Sequence, residues 1–426
     1  MGIHLTAQLA ITGLLVALLP LSLVWAATDA NRFRKLVAVT LFLTFDLIVF
    51  GGYTRLTDSG LGCPDWPGCY GQANPLQAHA DISAAQAAMP SGPVTVVKAW
   101  IEMIHRYLAM AVGVLIVALM ILAWRRWWLA RRGRLALLDA QQGRAASPWL
   151  PTALFGFVCL QGAFGAWTVT LKLQPVIVTT HLLLGMGLLG LLAWLKAQQD
   201  EQGSLNQHAQ MSPQPPGALQ ADKAAAPAAG APTRLASGLA STAADLRLPA
   251  VVAFGFLVMQ IALGGWVSTN YATLACTDFP LCHGQLIPEM DYAHGFSLWR
   301  QLGMTASGAW LPFAALTAIH WTHRNFAFIV VAANLWLAVR ALRVPQMRQH
   351  ARWLIGAVCL QFITGVATIY LQWPLVLAVA HNAGAALLVL LLAMLNYKAF
   401  GAARNLRISR GLTTQPIVPA GPAYST

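Results

Sequence analysis

Charge is what this sequence has least of. Only 10% of its 426 residues are Asp, Glu, Lys or Arg, and just 14 are acidic. Soluble globular proteins carry roughly 25% charged residues, so an ordinary soluble enzyme is excluded. Strict alternation of apolar and polar residues is missing too, which excludes a membrane β-barrel. What is present is 57% hydrophobic residues and a mean hydropathy of +0.59, gathered in unbroken stretches. These fall at about 5–27, 36–55, 98–123, 150–171, 174–196, 249–269, 316–340, 352–372 and 374–396. Each is near the ~20 residues that cross about 30 Å of hydrocarbon as a helix.

The net charge of +13 raises the question of a nucleic-acid partner. The placement of the basic residues answers it. Arg32, Arg34 and Lys35, then Arg125, Arg126, Arg131, Arg132, Arg134 and Arg144, fall on alternate loops. So do Lys196, Lys223, Arg234 and Arg247, then Arg340, Arg343, Arg348 and Arg352, then Lys398, Arg404, Arg407 and Arg410. By the positive-inside rule these segments are cytoplasmic, and the charge is a topology signal that needs no nucleic acid. The first stretch lacks a basic n-region and a small-residue cleavage site, so it reads as an extra helix with its N-terminus outside, not as a removable signal peptide.

The chain repeats itself. Adding 213 maps Gly51, Gly52, Leu61, Cys63, Asp65, Pro67, Cys69 and Gly71 onto Gly264, Gly265, Leu274, Cys276, Asp278, Pro280, Cys282 and Gly284. Adding 218 maps His105-Arg106 onto His323-Arg324, and adding 200 maps Cys159, Leu160, Gln161, Gly165, Thr168 and His181 onto Cys359, Leu360, Gln361, Gly365, Thr368 and His381. Four spans per half give both halves the same orientation, related by an axis near the membrane normal. The expected fold class is therefore an all-α polytopic membrane protein of two pseudo-symmetric four-helix transmembrane bundles plus an extra N-terminal transmembrane helix. The expected divisions are that helix at 1–30, a first half at 31–197, a flexible cytoplasmic linker rich in Ala, Pro, Gln, Ser and Gly at 198–248, a second half at 249–400 and a cytoplasmic tail at 401–426.

Five of the 11 histidines lie within spans: His105, His181, His320, His323 and His381. Ionisable groups in hydrocarbon are costly and point to function. His105, His181, His323 and His381 each sit about two turns from the outer end of their span, a shared depth of roughly 10 Å at about 1.5 Å per residue. Two histidines at one depth on two helices can approach an iron from opposite faces of a porphyrin. Zinc competes, but a zinc site wants three or four clustered ligands and each half matches only two.

The halves differ at one place. Glu102 precedes His105 by almost one turn on the same face, where the second half has His320 before His323. An acid beside a tetrapyrrole can accept a proton or orient an oxygen species; the plainer reading of Glu102, given less weight, is a partner for Arg106 or a helix-entry acid near the interface. Arg106 and Arg324 can also pair with haem propionates. Asp46 reads as a structural polar contact. Cys63 with Cys69, and Cys276 with Cys282, sit in the two large outside loops, where an oxidising compartment permits disulfides. Loops that small gain little from chain entropy, so redox exchange near a haem is the sharper reading for Cys63 and Cys69. Zinc at Cys276, Cys282 and His283 lacks a fourth ligand. Cys159 and Cys359, inside spans, are expected to pack between helices.

With these residues in view, the chain resembles the haem A synthase family. The resemblance rests on Gly51-Gly52, on Cys63-Pro64-Asp65-Trp66-Pro67-Gly68-Cys69, on Glu102-x-x-His105-Arg106 and on the repeated His181 and His381. It covers about residues 36–197 and 249–397. It implies an eight-helix body with haem O bound as substrate in the first half and a haem b cofactor in the second. The implied reaction oxidises the C8 methyl of haem O to a formyl group by successive hydroxylations and loss of water. Glu102 would be the catalytic carboxylate, His105 and His181 the substrate-haem ligands, His323 and His381 the haem b ligands, and Cys63 and Cys69 the pair associated with electron transfer. The implied partners are the haem O donor enzyme (haem O synthase), terminal oxidase assembly, an electron acceptor not identified by the sequence, membrane lipid and a homo-oligomer. The implied location is the bacterial inner membrane, with the cysteine loops periplasmic. The helix at 5–27 and the linker lie outside the family pattern. The rival readings are a di-haem b-type electron carrier linked to quinone, which performs no chemistry on the haem, and a haem transporter, which needs no Glu102.

Overall fold

The computed structural model describes residues 2–26, 32–132, 147–211 and 242–413. Among these residues the chain is helical, with two long loops after its second and seventh helices and no strand. The helices are α1 (Gly2–Trp25), α2 (Arg32–Leu56), α3 (His79–Ala88), α4 (Val96–Arg131), α5 (Trp149–Thr170) and α6 (Pro175–Met211). They continue with α7 (Arg247–Thr269), the single turn α8 (Tyr292–Gly295), α9 (Phe313–Ala341), α10 (Arg348–Tyr370) and α11 (Leu375–Thr413). Nine helices among the described residues are long and apolar enough to cross a membrane, and they coincide with the nine stretches read from the sequence.

Local chemistry sets several of the ends. Thr95 caps α4 by accepting from the Lys98 N–H at 3.2 Å. Pro175 opens α6, where a missing N–H costs nothing. Between α5 and α6, Lys172 and Leu173 both take left-handed backbone; Gln372 and Trp373 do the same between α10 and α11. In each turn the second of these residues donates its N–H back to the Thr168 or Thr368 carbonyl at 2.8 Å, which closes the helix end.

Helices α2, α4, α5 and α6 form one half, and α7, α9, α10 and α11 the other. The halves meet through α2, α6, α7 and α11, with α4, α5, α9 and α10 outside. One apolar core runs through both, built from residues such as Leu36, Leu115, Leu189, Leu257, Leu337 and Leu392. In lipid, helices gain nothing by hiding apolar surface from water, so close packing and polar contacts between helices hold such a body together. Asn396 supplies one, its buried amide donating to the Ala250 carbonyl at 3.1 Å.

Helix α1 stands outside this plan, as expected. It buries Leu9, Ala17 and Val24 and exposes Leu15, Leu19 and Leu23. Its close approach to α4 depends on Gly13, where a Cβ would lie 2.8 Å from Met110 Cβ.

The structure departs from the expected boundaries in two places. Helix α6 continues to Met211, so the first part of the segment read as a flexible linker is helical. It is tied down there: Asp200 pairs with Arg34 at 3.1 Å and with Lys196 at 2.5 Å, and the Tyr397 hydroxyl of α11 donates to Glu201. Helix α11 likewise runs past 401 to Thr413. The last residues of that segment, 242–248, are helical as well apart from a turn at Leu246, while its middle, 212–241, the tail from 414, and Arg134, Arg144, Lys223 and Arg234 lie outside the described residues. Helix α3, in the first cysteine loop, had no signal among the apolar stretches.

Candidate functional site

Each half carries the same loop between its first two spans. Cys63 is bonded to Cys69, and Cys276 to Cys282. Cys69 and Gln72 exchange backbone hydrogen bonds at 2.9 and 3.0 Å, as Cys282 and Gln285 do at 2.8 and 3.1 Å. Between them, Tyr70-Gly71 and His283-Gly284 take positive φ at both residues, the geometry of a type I′ turn. The repeated aspartate completes the turn. Asp65 Oδ1 and Oδ2 accept from the Tyr70 and Gly71 N–H groups at 2.6 and 2.7 Å; Asp278 accepts from His283 and Gly284 at 2.8 and 2.9 Å. The Gly284 N–H, followed by that of His283, holds the Asp278 carboxyl below the usual carboxylate range.

Arg106 clamps the first loop. Its guanidinium donates to the carbonyls of Pro67, Gly68 and Asp65 at 3.2, 2.5 and 3.1 Å, and to Glu102 Oε1 at 2.5 Å. Glu102 is 4% exposed, and its second oxygen accepts the Cys63 N–H at 2.8 Å. The carboxylate therefore joins the disulfide to α4 and pairs with Arg106. In the second half His320 stands in the place of Glu102: its Nδ1 accepts the Cys276 N–H at 3.1 Å. Arg324 donates to the Leu281 carbonyl at 3.0 Å and leaves a buried Nη1 without a partner among the described residues.

The four matched histidines are half-buried, and each lies against a glycine of a neighbouring helix. A Cβ at Gly51 would sit 2.9 Å from His105 Nε2, and one at Gly264 would sit 2.9 Å from His323 Cε1. Gly165 and Gly365 stand 3.1 Å from Cε1 of His181 and His381 on the same measure. His105 and His181 are close enough to interact electrostatically, and so are His323 and His381. The structure thus brings each expected pair together within its own half. Phe50 stacks on the His105 ring at 6.3 Å between centroids.

Polar neighbours of these rings carry information that the sequence reading did not use. The Gln161 amide nitrogen lies 3.5 Å from His181 Nε2, and that of Gln361 lies 3.3 Å from His381 Nε2. The repeat exposed this glutamine pair but gave it no role. Thr364 and Gln260, which touch the Nδ1 atoms of His381 and His323, were not singled out at all. Comparison of the two halves position by position would have found them.

Three other expectations resolve differently. Both thiols of the second loop are consumed by the disulfide and His283 Nε2 turns to the Ala275 carbonyl at 2.8 Å, so no zinc set forms from Cys276, Cys282 and His283. Cys159 and Cys359 do not pack between helices. They are exposed, on faces of α5 and α10 turned away from their neighbours. Asp46 is exposed on α2, away from the buried stripe of Leu36, Thr40 and Thr44, and makes no structural polar contact among the described residues.

Fold and site together define a polytopic helical membrane protein made of a duplicated four-helix unit, each copy holding a histidine pair beneath a disulfide loop. A family model described as cytochrome oxidase assembly protein, COX15-CtaA, matches residues 34–393. The chain belongs to this COX15-CtaA family. It is 36% identical over 363 residues to the haem A synthase of Shewanella oneidensis, covering 85% of this chain and 95% of that protein. It is 28% identical to the haem A synthases of Sinorhizobium medicae and of a Caulobacter species. Those matches cover 88% and 83% of this chain and 91% and 93% of the relatives.

Proposed function

We propose that this chain is a haem A synthase, a membrane oxidoreductase that converts the C8 methyl of haem O to a formyl group. One observation carries the division of labour. The same backbone N–H, that of the first cysteine, meets a carboxylate in the first half and an imidazole in the second. The half with Glu102 is the one equipped for chemistry on a bound substrate; the half with His320 suits a resident electron-transfer group.

The residues present fit haem. Each histidine ring rests on a glycine that leaves it room. Gln161 Oε1, Gln361 Oε1, His181 Nδ1 and Arg324 Nη1 are buried polar atoms with no partner among the described residues. In this reading His105 and His181 hold haem O, and His323 and His381 hold haem b, which supplies one-electron transfer. Arg324, with a donor to spare, is the propionate partner; Arg106 spends its donors on the loop and on Glu102. Glu102, held by Arg106 and by the Cys63 N–H, is placed to accept protons released as the methyl group is oxidised. The Cys63–Cys69 disulfide, one hydrogen bond from Glu102, can take up an electron pair with two protons. Both its residues are fully buried, so exchange with an outside partner requires the loop to open.

The membrane in this reading is the bacterial inner membrane, with disulfide loops periplasmic and the basic ends cytoplasmic. The haem O donor enzyme supplies the substrate, terminal oxidase assembly consumes the product, and the exposed apolar faces leave room for a homo-oligomer. Extraction of haem from the purified protein, identified by mass, tests the function. Wild type should yield formylated product, and Glu102→Gln should retain haem but yield little of it. Unmodified haem b alone from wild type would overturn the synthase reading, and normal haem A from the variant would overturn the role of Glu102.

A further inference from the structure

The two halves treat the far nitrogen of their histidines differently. Thr364 Oγ1 donates its proton to the Gln361 carbonyl at 3.0 Å and lies 2.9 Å from His381 Nδ1. A hydroxyl has one proton, so with that proton on the Gln361 carbonyl it is free to accept from an Nδ1–H. His381 Nε2 is then left with its lone pair, which the Gln361 amide nitrogen faces at 3.3 Å. The position equivalent to Thr364 in the first half is Phe164, and His181 Nδ1 is buried with no partner among the described residues.

The first histidine of each half repeats the contrast. Gln260 Nε2 lies 3.2 Å from His323 Nδ1 and donates to the His323 carbonyl at 3.1 Å. The equivalent of Gln260 in the first half is Leu47, which packs into the apolar core. Both histidines of the second half therefore have a polar neighbour at Nδ1, and both equivalents in the first half are apolar.

We propose that Thr364 is a positioning residue that makes the second half the retaining haem site, while Phe164 leaves the first half an exchangeable one. An acceptor at Nδ1–H fixes the tautomer and orientation of a metal-binding imidazole and strengthens it as a ligand. A ligand without that partner is weaker and freer to turn, which suits a site that must take up a substrate and release a product. The proposal rests on the reading of the four histidines as haem ligands.

The test is the rate at which the purified full-length protein loses haem to excess apomyoglobin, read with the low-spin electron paramagnetic resonance signal of each site. Thr364→Val keeps the shape and removes the acceptor; it should speed loss of the second-half haem about 10- to 100-fold and shift its signal. Thr364→Ser should restore both, and Phe164→Thr should slow loss from the first half. Unchanged rates and signals in Thr364→Val and Phe164→Thr, with both haems bound, would overturn the proposal. His381→Ala separates the two levels of the argument: retention of the second-half haem there would overturn the ligand reading itself.

Discussion

Asp58 and Tyr271 occupy equivalent positions of the two repeats, 213 residues apart, and they touch: the Tyr271 hydroxyl donates to Asp58 Oδ1 at 2.7 Å. Arg55 and Ser268, also 213 apart, meet through an Arg55 Nη2 bond to the Ser268 carbonyl at 2.6 Å. Equivalent positions can meet only beside the axis that relates them. The axis therefore passes through this cluster, where Arg55 also pairs with Asp58 and lies 4.3 Å above the Tyr271 ring.

Tyr271→Phe removes the hydroxyl and keeps the ring under Arg55. A hydrogen bond of this kind contributes about 0.5–1.5 kcal/mol, and half-exposed groups fall at the low end. Thermal unfolding in detergent should show a small loss for Tyr271→Phe and a larger one for Tyr271→Ala, which also removes the cation–π contact, itself about 0.5–1 kcal/mol.

Gly51→Ala and Gly365→Ala each drive a methyl group into a histidine ring. Haem content per mole of protein should fall in both, at the first-half and second-half sites respectively. Gly356→Ala is the control: a Cβ there meets nothing within 4 Å, and replacing a mid-helix glycine gains up to about 1 kcal/mol. A Gly356 variant that loses haem as much as the others would remove the steric argument.

Arg106→Ala leaves Glu102 buried and uncompensated, and three loop carbonyls without their donor. Breaking a buried pair from one side costs about 3–5 kcal/mol. The Cys63–Cys69 disulfide should become much faster to reduce and alkylate, while Cys276–Cys282, held by Arg324, reacts as in wild type. Arg106→Lys should fall between, because one ammonium cannot serve four acceptors in that geometry.

Acid should open the second loop only late. Asp278 has a carboxyl held below its ordinary value by the N–H groups of Gly284 and His283. Its contribution is therefore complete above the unfolded value of about 3.9 and is lost as pH falls through the lower folded value. Reduction of Cys276–Cys282 by a phosphine should be slow and steady down to about pH 4, then accelerate. Asp278→Asn should be faster at neutral pH and lack the acid step.

Much of this was legible because lipid punishes exceptions. Nine apolar stretches, and four histidines standing out from them, needed only hydropathy and helical rise. The repeat also separated Glu102 from His320. The destination of Arg106 was not legible: whether a cation on α4 turns to a ligand or to a loop depends on where the disulfide folds the loop back, and no periodicity records that. Cys159 and Asp46 misled for a related reason, since a stretch apolar all round conceals which of its faces meets a neighbour. Thr364 was hidden differently, as an ordinary core substitution whose meaning lies in the hydroxyl reaching His381 Nδ1.

The paired glycines have a consequence for where this architecture came from. In each pair the first faces a histidine of its own half and the second faces the other half: Gly52 meets Asn382, and Gly265 meets Leu182, the equivalent of Asn382. Residue i touches j while its counterpart touches the counterpart of j, which is the signature of an isologous dimer. The covalent connection joins two surfaces that are already complementary to themselves. A four-helix ancestor bearing such a glycine pair would have assembled as a homodimer, with two identical histidine pairs. Fusion into one chain then freed the copies to differ, one with a carboxylate before its histidine and the other with an imidazole there.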